Sequence, residues 1–231
     1  MFWQEDDQED LNITDAITDL VFDIECKELP VDHCYELKTA LTEKVAILES
    51  DERCAIHSIH MAGSQNGWER PDPKLGQKLI LSKRTKLTLR IPGELRSQVD
   101  NALIGSTIFI DGNKLTVGKS KIKKLSKQTT IFARHIALES DEDKDENKFL
   151  VRIVKDFKIR DIRIKKALCG ITQEISTRDE PILTRSIMLA DLSIEDSIRL
   201  QQEGLGEHRL LGCGIFIPHK GIDAVKKQED E

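Results

Sequence analysis

The sequence lacks the paired cysteines that metal sites and disulfide frameworks need. It has five cysteines, an odd number, and none belongs to a C-x-x-C pair. Zinc sites use such pairs, and small secreted domains use even sets of cysteines. We therefore expect no metal, no cofactor and a reducing, cytoplasmic environment. The five are Cys26, Cys34, Cys54, Cys169 and Cys213.

Long apolar runs are also missing. No stretch approaches the roughly 18 apolar residues that a membrane-spanning helix needs. The first residues, Met1 to Asp7, are acidic, whereas a secretory signal combines a basic start with an apolar segment. The sequence therefore predicts a protein with no membrane segment.

The usual nucleotide fingerprints are absent too. No G-x-G-x-x-G opens a helix after a strand. The stretch from Gly112 to Ser120 resembles a P-loop, but it has five spacer residues instead of four. A lysine-rich segment follows it where a P-loop needs a helix. The sequence therefore argues against a P-loop.

The net charge of −6 conceals a strong segregation of charge. Residues 1–10 and 139–146 each carry −5. Residues 74–134 hold fourteen Lys/Arg against three acidic residues, a local +11, and 152–166 hold seven against two, a local +5. Such a run can be a solvated lysine-rich face. Two basic blocks beside segregated acidic segments favour a polyanionic partner, which points to nucleic acid.

The first half of the chain predicts one order of strands and helices. A run of β-formers, Ile17 to Ile24, is followed by a helix that opens at Pro30-Val31-Asp32 with Asp32 as its N-cap. The later elements are a strand over Cys54–Met61, a loop over 62–77, a strand over Lys78–Ile91, a helix from Pro92 through Leu103, and a strand over Thr107–Val117 with a turn at 111–113. This order is β-α-β-β-α-β, the ferredoxin-like unit.

The second half repeats that order. Its predicted elements are a strand over Ile131–Leu138, a helix over 149–157, strands over Ile162–Leu168 and Ile182–Leu189, a helix over Ser193–Gln202 and a last strand over Leu211–Pro218. We predict an α+β fold of two tandem ferredoxin-like (RRM-like) βαββαβ domains. The parts are an acidic tail (1–15), an N-terminal domain (16–117), a basic linker (118–130), a C-terminal domain (131–225) and a second tail (226–231).

Aromatic residues make up only 4% of the chain, with a single tyrosine. The sheet of an RRM-like unit reads single-stranded RNA by stacking bases on aromatic side chains. The composition therefore disfavours an ordinary single-strand reader. Shape and phosphate contacts to a folded RNA fit the sequence better.

A glycine-rich stretch, residues 204–214, lies between the last predicted helix and the last predicted strand. Its four glycines form two G-x-G pairs. Glycine permits φ > 0 and a close backbone approach, and exposed backbone N–H groups can line a phosphate. A flexible helix-to-strand connection is the alternative interpretation.

This loop, together with four other stretches, resembles the CRISPR-associated precursor-RNA processing endoribonucleases, the Cas-six family. Three of these stretches look like the branch first described in myxobacterial type I systems. The resemblance covers about residues 16–225. Besides the loop and its continuation to Lys220, the stretches that carry it are Leu29–Tyr35, Ile56–Pro71, Leu81–Leu87 and Ser197–Gln201.

The resemblance implies two tandem ferredoxin-like domains and metal-independent cleavage of CRISPR repeat RNA beside a hairpin. It also implies a protein that stays on the crRNA product with other subunits of a type I-like effector (surveillance) complex. Members of the family vary in their catalytic residues, so the resemblance does not transfer them. They have to be argued from this sequence.

Metal-free RNA cleavage proceeds by in-line attack of a 2′-OH and needs a base whose pKa lies near neutrality, which favours histidine. His33, in the first helical turn, is predicted to be held neutral by the helix dipole. His57 and His60 lie three apart on a predicted strand, so they point to opposite faces and at most one reaches the site. Ser64 can bind a phosphate or orient a base. The catalytic candidates are therefore His33, His57, His60 and Ser64.

The candidate RNA contacts fall into three groups. Lys83, Arg84 and Lys86 suit phosphates or charge in the transition state, although lysines on an edge strand can also serve only to prevent aggregation. The basic segment suits the backbone of a hairpin through Lys119, Lys121, Lys123 and Lys124. The loop and its flank contribute Gly204, Gly206, His208, Arg209, Gly212, Gly214, His219 and Lys220.

Two other functions remain open at this point. One is a non-catalytic RNA-binding subunit that holds the 3′ hairpin of the crRNA. The other is a phosphate-binding enzyme of unrelated fold that uses the glycine-rich loop.

Overall fold

The computed structural model describes residues 16–60 and 77–219. Within these ranges the chain forms two halves, each with an antiparallel sheet covered by helices on one face. The predicted α+β class is therefore confirmed. The predicted tails at 1–15 and 226–231, and nearly all of the predicted loop at 62–77, lie outside the described residues.

The N-terminal half contains a five-stranded sheet in the order β3-β5-β1-β7-β6 and a separate β2-β4 pair. All of its strand pairs are antiparallel. Its strands are β1 (Ile17–Glu25), β2 (Glu28–Pro30), β3 (Ala55–Ile56), β4 (Lys78–Ile80), β5 (Lys86–Pro92), β6 (Thr107–Ile110) and β7 (Asn113–Lys123). Its helices are α1 (Cys34–Lys44), α2 (Ile47–Ser50) and α3 (Arg96–Leu103).

Alternation along the strands decides which face of this sheet meets the helices. Leu20 and Phe22 of β1 and Leu89 of β5 point to one side and pack in a core with α1 and α3. The residues between them point to the opposite side. Each fully buried Leu or Phe contributes about 1.5–3 kcal/mol relative to an exposed one, so this core is a major source of stability.

The C-terminal half contains a four-stranded antiparallel sheet in the order β11-β8-β10-β9. Helix α4 buries one stripe, Phe149, Ile153 and Phe157, at the four-residue spacing that keeps side chains on one helix face. The elements are β8 (Ile131–Ala137), α4 (Glu146–Ile159), β9 (Lys166–Ile175), β10 (Ile182–Ala190), α5 (Ile194–Glu203) and β11 (Phe216–Pro218).

In the part of the chain that the structure describes, no helix combines the length and apolar character that crossing a membrane requires.

Several predicted boundaries were wrong because turns and partner strands override local pattern. The predicted strand Lys78–Ile91 is two strands, since Thr85 N donates to Ser82 O at 2.9 Å and closes a turn between β4 and β5. Within Cys54–His60, the described part of the predicted Cys54–Met61 strand, only Ala55–Ile56 is strand, and the last strand begins at Phe216 rather than Leu211.

Two further boundaries moved in the direction of longer strands. The predicted strand over Ile162–Leu168 is instead β9, which begins at Lys166 because it pairs along its whole length with β10. β7 runs on through Lys123, since Lys121 and Lys123 pair with Val21 and Asp19 of β1. The first part of the predicted basic linker is therefore strand.

The predicted N-cap of α1 was also wrong. His33, not Asp32, occupies the N-cap position. Asp32 Oδ2 instead accepts a hydrogen bond from the backbone N–H of Ser176 at 2.8 Å. The carboxylate thus joins the two halves rather than capping the helix.

The connection between the halves is bound to the C-terminal half by hydrogen bonds. Gln201 of α5 receives the N–H of Ser126 at 3.0 Å and donates to the carbonyl of Ser126 at 2.7 Å. Ser197 Oγ donates to Gln128 O, and His219 N donates to Thr130 O at 3.0 Å. Residues 126–130 therefore run alongside α5 and the end of β11 as an ordered segment.

Arg90 of β5 makes the main polar contact between the two halves, a boundary that we call the joint. Only 1% of the surface of Arg90 is exposed. Its Nε and Nη2 donate to the two carboxylate oxygens of Asp19 at 2.7 and 3.0 Å. Its Nη1 donates to the carbonyl oxygens of Gln201 and Phe216, both at 2.8 Å. Burial alone would raise the pKa of Asp19, but the adjacent guanidinium holds it well below its usual range.

Candidate functional site

Two glycines close the base of the loop at residues 204–214. Gly204 ends α5 with φ +69°, and Gly214 has φ +68°. A Cβ on Gly214 would lie 2.3 Å from the carbonyl oxygen of Leu205, and a Cβ on Gly204 would lie 2.6 Å from the carbonyl oxygen of Gly214. The loop can therefore close only when both positions have no side chain.

The N–H groups of three loop glycines are used by the fold. Gly204 donates to Leu200 O at 2.9 Å, Gly212 to Arg209 O at 3.2 Å, and Gly214 to His135 O at 2.7 Å. Contrary to the sequence-based expectation, these three groups do not line a phosphate in this conformation. Gly206 differs, because a Cβ added there would meet no atom within 4 Å.

Arg209 also serves the fold rather than pointing outward. Its guanidinium donates to the carbonyl oxygens of Gln202, at 3.2 Å, and Glu203, at the C-terminal end of α5. A third donation, at 3.4 Å, reaches Arg53 O in the other half. Burial, with the nearby positive charge of Arg90, lowers the pKa of Arg209 to about 10. This placement does not support the predicted RNA contact.

The other charged positions of the loop lie at the surface. His208 has a left-handed backbone with φ +62°, and its exposed ring lies 4.0 Å from Glu207 Oε2. The exposed ring of His219 lies 5.7 Å from the ring centroid of Phe132. Lys220 lies outside the described residues. The structure therefore leaves His208 and His219 accessible, as an RNA contact requires.

The loop packs against the short segment that follows β3. A Cβ on Gly212 would lie 3.4 Å from the backbone nitrogen of Ser58. In the same segment, His57 N donates to Thr88 O at 3.0 Å, which continues the pairing with β5. The fold thus brings residues 57–60 together with the glycine-rich loop, although the two lie about 150 residues apart.

His33 holds this segment from the other side. Its ring is buried, and Nε2 accepts the backbone N–H of Ile59 at 2.9 Å. Nδ1 therefore carries the proton and donates to Pro30 O and Val31 O at 3.0 and 3.1 Å. Burial lowers the pKa of His33 and so favours the neutral ring, against the opposing hydrogen bonds to Pro30 and Val31. With both nitrogens bonded to backbone, His33 positions residues 57–60 and does not face substrate.

His57 and His60 have different surroundings, and both lie beyond the end of β3, so the strand spacing used to predict their directions does not apply. His57 Nε2 lies 3.4 Å from Asp19 Oδ1 without hydrogen-bond geometry, and 16% of its side chain is exposed. Burial lowers the pKa of His57, and the Asp19 carboxylate opposes that shift. His60 is exposed, and its Nε2 lies 2.8 Å from Ser58 Oγ. Ser64 lies outside the described residues.

The predicted basic contacts occupy two places. Lys83 and Arg84 are exposed in the turn between β4 and β5, whereas Lys86 Nζ donates to Asp23 Oδ1 at 2.7 Å. Three lysines at alternate positions of β7 share one face of the sheet and are exposed, and Lys124 follows them. They are Lys119, Lys121 and Lys123. Their face is the one opposite α1 and α3.

Sequence reasoning missed the buried role of Arg90. The alternation along β5 places Lys86, Thr88 and Arg90 on the face expected to meet solvent. Arg90 is buried because the C-terminal half covers that end of the sheet, and no local pattern signals this. Among residues 16–60 and 77–219, no group of three or more histidine, cysteine, aspartate or glutamate side chains is placed to hold a metal ion.

A family model and a curated relative both match this chain, and they name the same family. A family model described as "Cas6 Crispr" matches residues 18–221. The CRISPR-associated endonuclease Cas6 of Myxococcus xanthus (strain DK1622) is 25% identical over 203 residues, which cover 88% of this chain and 82% of that protein.

Two solved structures show the same fold. A protein titled "CRISPR associated protein Cas6" superposes with a TM-score of 0.60 at 10% identity, covering 88% of this chain and 100% of that one. A Cas6-related protein from Pyrococcus furiosus gives a TM-score of 0.56 at 16% identity, covering 87% and 97%. At these identities the likeness concerns the fold alone.

Proposed function

The chain belongs to the Cas6 family, and from this premise we propose that it is an endoribonuclease that cleaves CRISPR repeat RNA beside a hairpin to produce crRNA. The observation that carries the proposal is the family match over residues 18–221, which spans both halves and the glycine-rich loop. We propose that cleavage needs no metal. The 2′-OH attacks the adjacent phosphate, the 5′-oxygen leaves with a proton, and a 2′,3′-cyclic phosphate forms.

We further propose that each half is a ferredoxin-like domain. The order of the main strands supports this, because β3-β5-β1-β7 and β11-β8-β10-β9 are the same 4-1-3-2 arrangement. The proposed domains are 16–117, extended by the end of β7, and 131–225.

Among the catalytic candidates we propose His60 as the group that exchanges a proton with the RNA. Its ring is exposed, and Ser58 Oγ, 2.8 Å from Nε2, can fix its orientation. His33 fixes the backbone between them through Ile59. His57 is the second candidate because 16% of its side chain is exposed, although its Nε2 is buried, and because burial lowers its pKa and so favours the neutral form that a base needs. Ser64 remains a proposal for phosphate binding.

For RNA binding we propose that cations on β7 and in the β4–β5 turn contact phosphates. These are Lys119, Lys121, Lys123, Lys124, Lys83 and Arg84. Lys86 has Asp23 as a partner, so we assign it a weaker contribution. In the loop, the proposed RNA contacts are Gly206, His208, His219 and Lys220, while Gly204, Gly212, Gly214 and Arg209 build the loop itself.

The test is cleavage of repeat RNA in excess EDTA by wild type, His60→Ala and His57→Ala. We expect His60→Ala to slow cleavage by about 10²- to 10⁴-fold while RNA binding persists. A repeat with a single 2′-deoxy nucleotide at the cut should bind and stay intact. Cleavage that requires a divalent ion, or that survives the 2′-deoxy substitution, would contradict the proposed chemistry.

A second candidate function is a non-catalytic subunit that holds the 3′ hairpin of crRNA. The burial of His33 and His57 favours it, because only one of the described catalytic candidates is fully accessible. Binding of the repeat by wild type without any cleavage would support it. The proposed membership of a type I-like effector complex applies to either function and is tested by copurification with the other subunits on crRNA.

The phosphate-binding enzyme of unrelated fold has no such support. Its premise was a loop whose glycine N–H groups line a phosphate. In the structure, the N–H groups of Gly204, Gly212 and Gly214 donate to carbonyl oxygens of the chain.

A further inference from the structure

The open face of the C-terminal sheet carries a row of apolar side chains across all four strands. Phe132 of β8 lies directly opposite Met188 of β10 and Ile217 of β11, and Met188 lies opposite Leu168 of β9. Directly opposed residues of antiparallel strands point to the same side of the sheet. We call these four side chains the Phe132 row.

The Phe132 row faces away from the core. The neighbours of Phe132 along β8, Ile131 and Ala133, are buried on the side that packs against the helices. Leu168 is 55% exposed, and Phe132, Met188 and Ile217 are only partly buried. The row is therefore an apolar surface at the centre of a sheet, where an RRM-like unit stacks bases.

The side chains beside Phe132 are cationic or aromatic. The guanidinium carbon of Arg134, two residues along β8, lies over the Phe132 ring in a cation–π contact, 5.7 Å from its centroid, so a base that stacks here meets the ring and the guanidinium together. The imidazole of His219 lies at the same distance with an interplanar angle of 48°. A ring flanked by a guanidinium and an imidazole suits a nucleobase, because the ring stacks on the base while the flanking groups contact the phosphate and the base edges.

We propose that Phe132 stacks on an unpaired nucleotide of the RNA and that Arg134 and His219 hold the adjoining phosphate. This inference rests on the proposed function, since it assumes an RNA substrate. It runs against the expectation from composition, because a chain with 4% aromatic residues still places one of them at the centre of the open sheet. The charge of Arg134 beside the row favours RNA over an apolar protein segment, which would leave that guanidinium facing an uncharged partner.

The test compares RNA binding by Phe132→Leu, which keeps the apolar surface, with Phe132→Tyr, which keeps the aromatic ring. The control is Phe109→Ala, which removes an exposed phenylalanine from β6 of the other sheet. The probes are the isolated repeat hairpin and the isolated single-stranded part of the repeat. We expect Phe132→Leu to weaken single-strand binding about tenfold and to leave hairpin binding unchanged. Phe132→Tyr and Phe109→Ala should both bind like wild type.

Ultraviolet crosslinking locates the contact. Trypsin cuts after Lys127 and Arg134, so Phe132 falls in the peptide 128–134. We expect this peptide to carry a crosslinked nucleotide from the unpaired part of the repeat. Normal repeat cleavage with crosslinks only outside this peptide would overturn base stacking on Phe132, which is the proposed platform, and would leave the proposed ribonuclease activity standing. Crosslinking at 128–134 without any cleavage would support the platform and overturn the ribonuclease.

Two further results would overturn the platform. One is unchanged single-strand binding by Phe132→Leu. The other is loss of a protein partner from a reconstituted crRNA complex while RNA affinity is kept, which would make the Phe132 row a protein interface. A wild-type protein that binds neither RNA probe would overturn both proposals.

Discussion

Four main strands have the same order in both sheets, yet the open faces of the two sheets carry different chemistry. On the N-terminal sheet, Asp19, Arg90 and the β7 lysines give a charged face, part of which is buried under the other half. On the C-terminal sheet, the Phe132 row gives an apolar face beside the guanidinium of Arg134 and the imidazole of His219. Because pleat positions alternate, one strand order can present any chemistry on its open face without disturbing its core. The difference between the sheets thus lies in side chains, not in topology.

The largest expected effect on stability comes from a substitution in the charged face, at the boundary between the two halves. We expect Arg90→Met to lower the free energy of unfolding by about 3–5 kcal/mol, because it leaves the buried Asp19 carboxylate without its partner. Lys86→Met removes an exposed pair with Asp23 and should cost less than about 1 kcal/mol. Urea denaturation of both variants measures the difference. Equal losses would show that Arg90 does not hold the joint.

Gly214→Ala should be the next most damaging change. Its Cβ would lie 2.3 Å from the carbonyl oxygen of Leu205 at a left-handed φ, so we expect a loss of about 2–4 kcal/mol. Gly206→Ala shares the left-handed φ but has open space, and should cost about 1 kcal/mol. Thermal unfolding compares the two. A Gly206 variant that is as unstable as the Gly214 variant would mean that strain in φ, not steric contact, dominates.

The pH dependence of stability tests His57, which lies beside Asp19 of the charged face. Burial lowers the pKa of His57 in the folded state, so the unfolded chain takes up this proton first as the pH falls below about 6.5. The free energy of unfolding should therefore fall between pH 7 and 5, by at most about 1.4 kcal/mol per pH unit from this group. His57→Gln should flatten that slope. The idea fails if this variant keeps the wild-type slope.

The smallest effect concerns the β7 lysines. Lys121→Ala should weaken binding to all RNA sequences alike and reduce the slope of log affinity against log salt by about one. Lys38→Ala on α1, which pairs with Glu49 instead, is the control and should leave both quantities unchanged. Filter binding at several salt concentrations measures this. A change confined to one repeat sequence would assign Lys121 to base recognition.

What the sequence predicted well was local. The strand Ile17–Ile24 and the helix Ser193–Gln202 were placed within a residue or two, because a run of β-forming residues and a Ser193 N-cap are local signals. Arg90 and His33 were misjudged because their environment comes from distant segments. Arg90 meets residues more than 100 positions away, and His33 meets Ile59. No rule of residue spacing predicts such long-range contacts. The glycine-rich loop was predicted because its left-handed backbone requires glycines that are seen directly in the local sequence.

The hydrogen-bonded connection at residues 126–130 has a consequence for the distance between the two halves. A connection bound to α5 and β11, together with Arg90 across the joint, leaves little freedom for the halves to hinge. The separation between His60 and Phe132 is then a fixed length, and with the roles proposed for these two residues it would set the distance between the stacked base and the cut. A repeat with an extra unpaired nucleotide between the stacked base and the cut would be cleaved one position away in sequence, at the same distance in space.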